Sequence, residues 1–247
     1  MKLDILTALN AERAARRAVI VVTHVESGRQ RLVRDADIAK DPLRPVLAAH
    51  LRTGKSGMED TAEGRVFLTV YVPASQLVVT GAVHISQALA PIGKLLGYDV
   101  TIVDPRTAFA SAERFPDVKV VAEWPDQALP PLNVDHYTAF VALTHDPKID
   151  DPALTYALAR DCFYIGALGS RKTHGRRLDR LKAQGVSDAA LARIHAPIGL
   201  DIGAVSPAEI AVAIMAQITE CLREDVDALP IPPPQAGEGR VRAKAAS

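Results

Sequence analysis

Hydrophobic positions follow two different rhythms along this chain. Leu3, Leu6, Leu9 and Ala14 recur at helical spacing, predicting an amphipathic helix over 2–16. The β-branched run Ala18–Val25 predicts a strand, Ser27-Gly28 a turn, and Arg29–Arg34 a return strand. Leu43, Val46, Leu47 and Leu51 predict a helix over 43–53 that stops at Gly54. Arg65–Val72 alternates as a further strand before Pro73. Residues 1–74 therefore read as a small α+β module, with apolar surface that a piece of this size buries incompletely by itself.

From Gln76 the runs become continuous. Gln76–Thr80, Asp99–Val103, Val118–Ala122, Ala139–Leu143 and Cys162–Ile165 are apolar without alternation, the pattern of strands covered on both faces in a parallel sheet. Helical patterns intervene over Ile85–Leu96, Asp151–Arg160, 170–184 and 206–224, the last with Ser206 as cap and Pro207 as first residue. The expected fold is α/β: a Rossmann-like, mostly parallel sheet domain over 75–226, preceded by the small α+β N-terminal module. Residues 227–247 are Pro-rich, then polar and basic, and read as a disordered tail.

Composition narrows the partners. Of 247 residues, 48% are hydrophobic, enough for a sizeable core, and 29 basic residues balance 29 acidic ones. That balance leaves no electrostatic footprint for non-specific nucleic-acid binding. No apolar run approaches the ~20 residues that span a bilayer, and the N-terminus lacks a secretory pattern, so a cytoplasmic protein without membrane contact is expected. The two cysteines, Cys162 and Cys221, fit neither a disulfide scaffold nor a zinc site, and no metal site is expected. Cys162 reads as a small buried hydrophobe, with a soft metal or sulfur ligand as the alternative.

Strand, glycine, helix, strand and acid over 76–104 form the layout of a mononucleotide-binding unit. Gly81 takes the first glycine position, followed by Ala82, while Asp104 is the acid placed for a ribose hydroxyl. The second glycine position is Val83, a branched side chain where a pyrophosphate would rest, and the third is Ser86. His84 at the mouth of this turn is suited to donate to phosphate or act as an acid–base, or else to cap the helix or pack in the crevice. Arg106 follows Asp104, and Thr144-His145-Asp146 ends a later strand on the same edge, as ligand residues or as a turn before the next helix. A second glycine loop, Gly166-Ala-Leu-Gly169-Ser170-Arg171-Lys172, opens a helix and is the better phosphate cradle, since Ser170 can cap and Arg171 adds charge. Gly199 and Gly203 mark a third constrained loop. Gly54-Lys55-Ser56 is not a Walker motif, because Ala49 stands where its first glycine belongs. A Tyr-x-x-x-Lys relay and a G-x-S-x-G elbow are both absent, and no catalytic residue is assigned.

The stretches QLVVTGAVHISQALAPIGKLLGYDVTIVDPR, LTHDPKIDDPAL, YIGALGSRKTHGRRL and RIHAPIGLDIGAVSPAEIAVAIMAQI run in order from about 76 to 218 and resemble the XdhC/CoxI family. Its members are accessory proteins for molybdenum hydroxylases such as xanthine dehydrogenase and carbon monoxide dehydrogenase. The resemblance implies a Rossmann-like domain and a chaperone that binds a molybdopterin-type cofactor, including its cytosine dinucleotide form. It further implies help with sulfuration by a cysteine desulfurase or other sulfur donor, delivery to an apo molybdenum hydroxylase, and a homodimer as the candidate assembly. The family usually reads Gly-Ala-Gly-His where this chain has Gly81-Ala82-Val83-His84. The N-terminal module lacks the G-S-A-P-R-like stretch of longer members, as in short variants linked to carbon monoxide dehydrogenase. Rival readings are an NAD(P)- or FAD-dependent oxidoreductase, copper or sulfur delivery to a molybdenum–copper site, and an interaction protein on an empty scaffold.

Overall fold

The computed structural model describes residues 2–224, so the expected tail at 227–247 lies outside the described residues. The first module comprises α1 (Leu3–Ala14), β1 (Val19–His24), β2 (Gln30–Arg34), a single turn α2 (Asp35–Ile38), α3 (Arg44–Thr53), β3 (Gly57–Thr61) and β4 (Gly64–Tyr71). Its four strands form an antiparallel sheet in the order β2-β1-β4-β3. Gly54 ends α3 in the left-handed region at φ 64°, a conformation that costs glycine nothing. β3 carries no apolar alternation and is not legible in the sequence. It is an edge strand with no buried residue, so its pairing with β4 rather than burial defines it.

Both faces of β1 are buried. Leu9 of α1 packs on Val19 and Val21, while Leu47 and Leu51 of α3 pack with Ile20, Val22, Val66 and Leu68. The second cluster also takes in Tyr137 from the larger domain. Arg16 reinforces this junction, donating to Asp135 Oδ2 at 2.7 Å and to the Ala74 carbonyl at 3.0 Å. The surface that the small module cannot cover is thus partly closed by its neighbour.

The second domain comprises β5 (Gln76–Thr80), α4 (His84–Leu95), β6 (Asp99–Val103), β7 (Lys119–Val121), a turn α5 (Pro125–Ala128), β8 (Thr138–Ala142), α6 (Pro147–Leu158), β9 (Tyr164–Ala167), α7 (Arg171–Ala183), a turn α8 (Asp188–Leu191), β10 (Ile194–His195) and α9 (Pro207–Glu224). All six strands are parallel in the order β10-β9-β8-β5-β6-β7. Chain order reverses between β5 and β8, which opens a crevice at their carboxyl ends, where ligands of open α/β sheets bind. One face is covered by α4 and α9 and the other by α6 and α7. α4 settles closely onto β5 because position 93 is glycine: a Cβ there would lie 2.8 Å from Leu77 Cδ2. The two-residue β10 and the short α8 are too brief to carry a period and escape a reading of the sequence.

Glu12 shows how charge secures the smaller module. It is 4% exposed and accepts from Arg17 Nε at 2.5 Å and Arg34 Nε at 2.8 Å. These hydrogen bonds, from Arg17 first and Arg34 second, outweigh its burial and lower its pKa to about 2. A carboxylate with a depressed folded pKa stabilises the fold above its unfolded pKa, and that contribution is lost as pH falls through the folded value. Glu12→Gln should therefore lower stability at pH 7 and flatten the loss between about pH 5 and 2, a difference read from urea unfolding of both proteins at several pH values.

Candidate functional site

Four loops leave the carboxyl edge of the parallel sheet, and backbone contacts tie each to the next. Gly81, at φ 112°, lies so close to the β8 loop that a Cβ would sit 2.9 Å from Thr144 Cγ2 and 3.2 Å from its nitrogen. Gly169, at φ 138°, lies beside the same loop, its missing Cβ 3.7 Å from His145 Nδ1. Asp104 at the end of β6 accepts from the Ala82 N–H at 2.8 Å. Gly81, Ala82, Asp104, Thr144, His145 and Gly169 therefore share one edge.

The loop after β5 spends its own donors. Gly81 N–H bonds the Val103 carbonyl at 2.8 Å, Ala82 N–H bonds Asp104, and Val83 N–H bonds Ser86 Oγ at 2.8 Å. A phosphate resting on this turn would find its three N–H groups taken. Val83 is the residue before α4, and His84, exposed, opens the helix. Arg114 buttresses the turn, donating to the Ala82 carbonyl and to Gln87 Oε1, each at 2.9 Å.

Asp104 is fully buried. It receives the Arg106 N–H and Nε at 2.9 Å on one oxygen, and Arg106 Nη2 at 2.7 Å beside the Ala82 N–H on the other. Burial alone would raise its pKa. The Arg106 guanidinium and the two backbone N–H groups together outweigh burial and hold the carboxyl below the usual carboxylate range. With both oxygens occupied, Asp104 holds Arg106 and the first turn instead of offering a free acceptor to a ribose hydroxyl. Arg106 is half-buried and also lies over the Phe109 ring at 4.7 Å.

The second pair of loops is anchored from below. Asp150, in the first turns of α6, accepts from Thr144 Oγ1 at 2.6 Å, Thr144 N–H at 3.3 Å and His145 N–H at 3.0 Å. This grip holds His145 in the left-handed region at φ 60°, its side chain exposed. Asp146 caps α6 through Lys148 N–H at 2.9 Å, which makes it a structural member of the trio. Ser170 caps α7 through Thr173 N–H at 3.2 Å. The N–H groups of Ser170, Arg171 and Lys172 take no partner among the described residues, and the three side chains are exposed. An open helix start with two cations is a ready anion seat.

Gly166 is the one expected loop residue that the structure places elsewhere. β9 extends to Ala167, so Gly166 lies inside the strand, buried, where a Cβ would meet Ile198 Cδ1 at 2.5 Å and Tyr164 Oη at 2.6 Å. Its glycine serves packing, and the loop begins at Leu168. Gly199 does likewise, facing Ala213 and Ile214 of α9 at 3.1 Å. Three residues escape the sequence reading: Asp150, Arg114 and Arg177, the last donating to the Leu168 carbonyl at 2.8 Å. An acid inside an otherwise apolar helix face is the available signal for Asp150.

Cys162 is buried, with its thiol pushed up to about 12 by desolvation. Among the described residues no group of three or more histidine, cysteine or acidic side chains is placed to hold a metal ion, and no helix is long and apolar enough to cross a membrane. A cleft of about 420 Å³ opens at the other edge of the sheet, between the modules, lined by Arg16, Asp135, Tyr156 and Arg160 among others. Its guanidinium groups are engaged: Arg16 by Asp135 and Arg160 over the Tyr156 ring.

Known proteins resemble this parallel-sheet domain. The family described as the XdhC Rossmann domain matches residues 77–218. "Molybdenum cofactor insertion chaperone PaoD" of Escherichia coli is 31% identical over 146 residues, 59% of this chain and 40% of that protein. A probable xanthine dehydrogenase component of Bacillus subtilis is 28% identical over 156 residues, 63% of this chain and 45% of that one. "Uncharacterized protein YqeB" of Escherichia coli is 31% identical over 159 residues, 63% of this chain and 29% of the relative. The chain thus spans less than half the length of each of these relatives. A crystal structure of a Bacillus halodurans protein described as a xanthine dehydrogenase superposes with a TM-score of 0.62 at 22% identity, covering 89% of this chain and 64% of that one, and so shares the fold.

The packing role of Gly166 is directly testable. Gly166→Ala should destabilise the protein by about 1–3 kcal/mol through overpacking against Ile198 and Tyr164, measured by urea denaturation. Unchanged stability would return Gly166 to the loop.

Proposed function

The chain belongs to the XdhC family, and from that premise we propose that it is a maturation factor that holds molybdenum cofactor at the carboxyl edge of its parallel sheet and hands it to an apo molybdenum hydroxylase. The observation that carries this reading is the open start of α7, beside His145 and flanked by Arg171 and Lys172, on an edge inside the family match. Relatives named as a cofactor insertion chaperone and as part of a probable xanthine dehydrogenase support it.

Molybdopterin bears a phosphate, and its cytosine dinucleotide form bears more than one. In this reading Ser170, Arg171 and Lys172 bind the phosphate through backbone N–H groups and charge, and Gly169 lets the chain approach it. His145 and His84 line the adjoining edge as donors, and Arg106, held by Asp104, adds charge beside them. Every group offered here binds or orients, and carriage requires no bond to be made or broken by the protein. Cys162 is buried, and desolvation pushes its thiol up; in this reading sulfuration draws on a partner such as a cysteine desulfurase. The nicotinamide or flavin dinucleotide reading is weaker, because Asp104 is saturated by Arg106 and the N–H groups of Gly81, Ala82 and Val83 are already taken.

Anaerobic calorimetry against molybdopterin and its cytosine dinucleotide, beside NAD, NADP and FAD, tests this. The molybdenum cofactor should bind and the redox dinucleotides should not. Arg171→Glu should weaken binding by about tenfold or more, as loss of a charged hydrogen bond commonly does. Binding of NAD, NADP or FAD alone would replace the chaperone with an oxidoreductase.

A further inference from the structure

Beneath the two ligand loops lies a buried charge that the fold leaves only partly satisfied. Arg177, in the second turn of α7, is 2% exposed. Its Nη2 donates to the Leu168 carbonyl at 2.8 Å, and the same atom lies 3.8 Å from Asp150 Oδ2, too far for a hydrogen bond. Nε and Nη1 are buried and have no partner among the described residues. The guanidinium therefore lies between the β9 loop, through Leu168, and the β8 loop, through the carboxylate that grips Thr144 and His145.

Neighbouring charges do not complete it. On α6, Asp151 is taken by Arg180 at 2.5 and 3.0 Å, and Asp146 caps its own helix. On α7, His174 adds no counter-charge, and burial holds its pKa below the ordinary value, with Arg177 acting in the same direction. Arg106, across the edge, is committed to Asp104. A buried guanidinium kept only for stability would have its donors paired, since each unmet buried donor is costly and a hydrophobic replacement of a buried ion pair is often neutral.

We propose that Arg177 is the buried anion-reading residue of this edge: its unpartnered Nε–H and Nη1–H bind an oxygen of a phosphate-class group seated on the start of α7, and Asp150 is the positioning residue that holds the guanidinium and the Thr144-His145 loop in place. The inference rests on the reading that this edge receives a phosphate-bearing cofactor, and it adds which buried residue recognises the phosphate.

The full chain, labelled with ¹⁵N arginine and backbone ¹⁵N, is titrated with inorganic phosphate and followed by NMR. The Arg177 Nε–H signal should shift saturably together with the Arg171 and Lys172 amides. In Asp150→Asn that side-chain shift should shrink although the protein remains folded, a change that a purely structural role would not produce. A double variant, Asp150→Asn with Arg177→Met, removes both buried charges at once, and should lose phosphate affinity at least tenfold without unfolding. Amide shifts at 171 and 172 with an unmoved Arg177 Nε–H would overturn the proposal and leave the cofactor reading standing. Cofactor binding by calorimetry with no phosphate response at any of these groups would also overturn it. Failure of the wild-type chain to bind either ligand would remove the cofactor reading, and the proposal with it. Should the variants not fold, the wild-type titration alone decides.

Discussion

The close approach of the β5 and β8 loops at Gly81 is the constraint on which this architecture turns. These two strands flank the point where chain order reverses, so their following loops diverge to opposite faces and leave a crevice. Here the crevice floor is pulled shut: Gly81 brings its backbone within contact of Thr144, and Leu143 N–H bonds the Thr80 carbonyl at 2.8 Å. Only a residue without a Cβ, at φ 112°, allows this. Once Thr144 is fixed against Gly81, His145 is carried toward Gly169, and the start of α7 joins the same edge.

Buried carboxylates then set the loops from beneath, and the two of them differ in kind. Asp104 has its charge answered by a bidentate guanidinium and two backbone N–H groups, so its ionised form is favoured. Asp150 has three neutral donors and a guanidinium at 3.8 Å, and burial pushes its pKa above the ordinary range, with Thr144 and Arg177 offsetting only part of that. Asp104 therefore makes a rigid half of the edge, and Asp150 an unsaturated one. In the proposed reading a phosphate-bearing ligand gains most on the Asp150 side, since a ligand adds most where the fold has left donors unpaired.

Most of the sheet is legible in the sequence because its strands are covered on both faces, and continuous apolar runs such as Gln76–Thr80 and Asp99–Val103 admit few other readings. β3 and β10 are not, because an exposed edge strand and a two-residue strand owe their existence to pairing rather than to pattern. Loop positions of the edge, from Gly81 to Arg171, can be named from spacing. What spacing does not carry is whether a donor or acceptor is already used. Asp104 stands where a ribose acid belongs, yet Arg106, two residues on, consumes it. Gly166 looks like the start of a loop because glycine's freedom and glycine's smallness leave the same letter in a sequence, and only Ile198 and Tyr164 beside it distinguish them.

Spent and unspent donors also turn a dinucleotide scaffold toward a different task. A nucleotide-binding turn needs free N–H groups and a free acid. In this chain Val103, Asp104 and Ser86 take the N–H groups of Gly81, Ala82 and Val83, and Arg106 absorbs the acid, so the turn before α4 is a structural brace. Val83 is compatible with that state, because a branched side chain obstructs nothing where no phosphate is received. Across the crevice the open N–H groups of Ser170, Arg171 and Lys172 stand beside two cationic side chains, which the start of α4 lacks. In the proposed reading a ligand is gripped there by its anionic end, and the exposed His84 and His145 border the rest of it. Grip at one end with an accessible remainder is what transfer to a second protein requires, since the receiving site must engage the cargo before the carrier lets go.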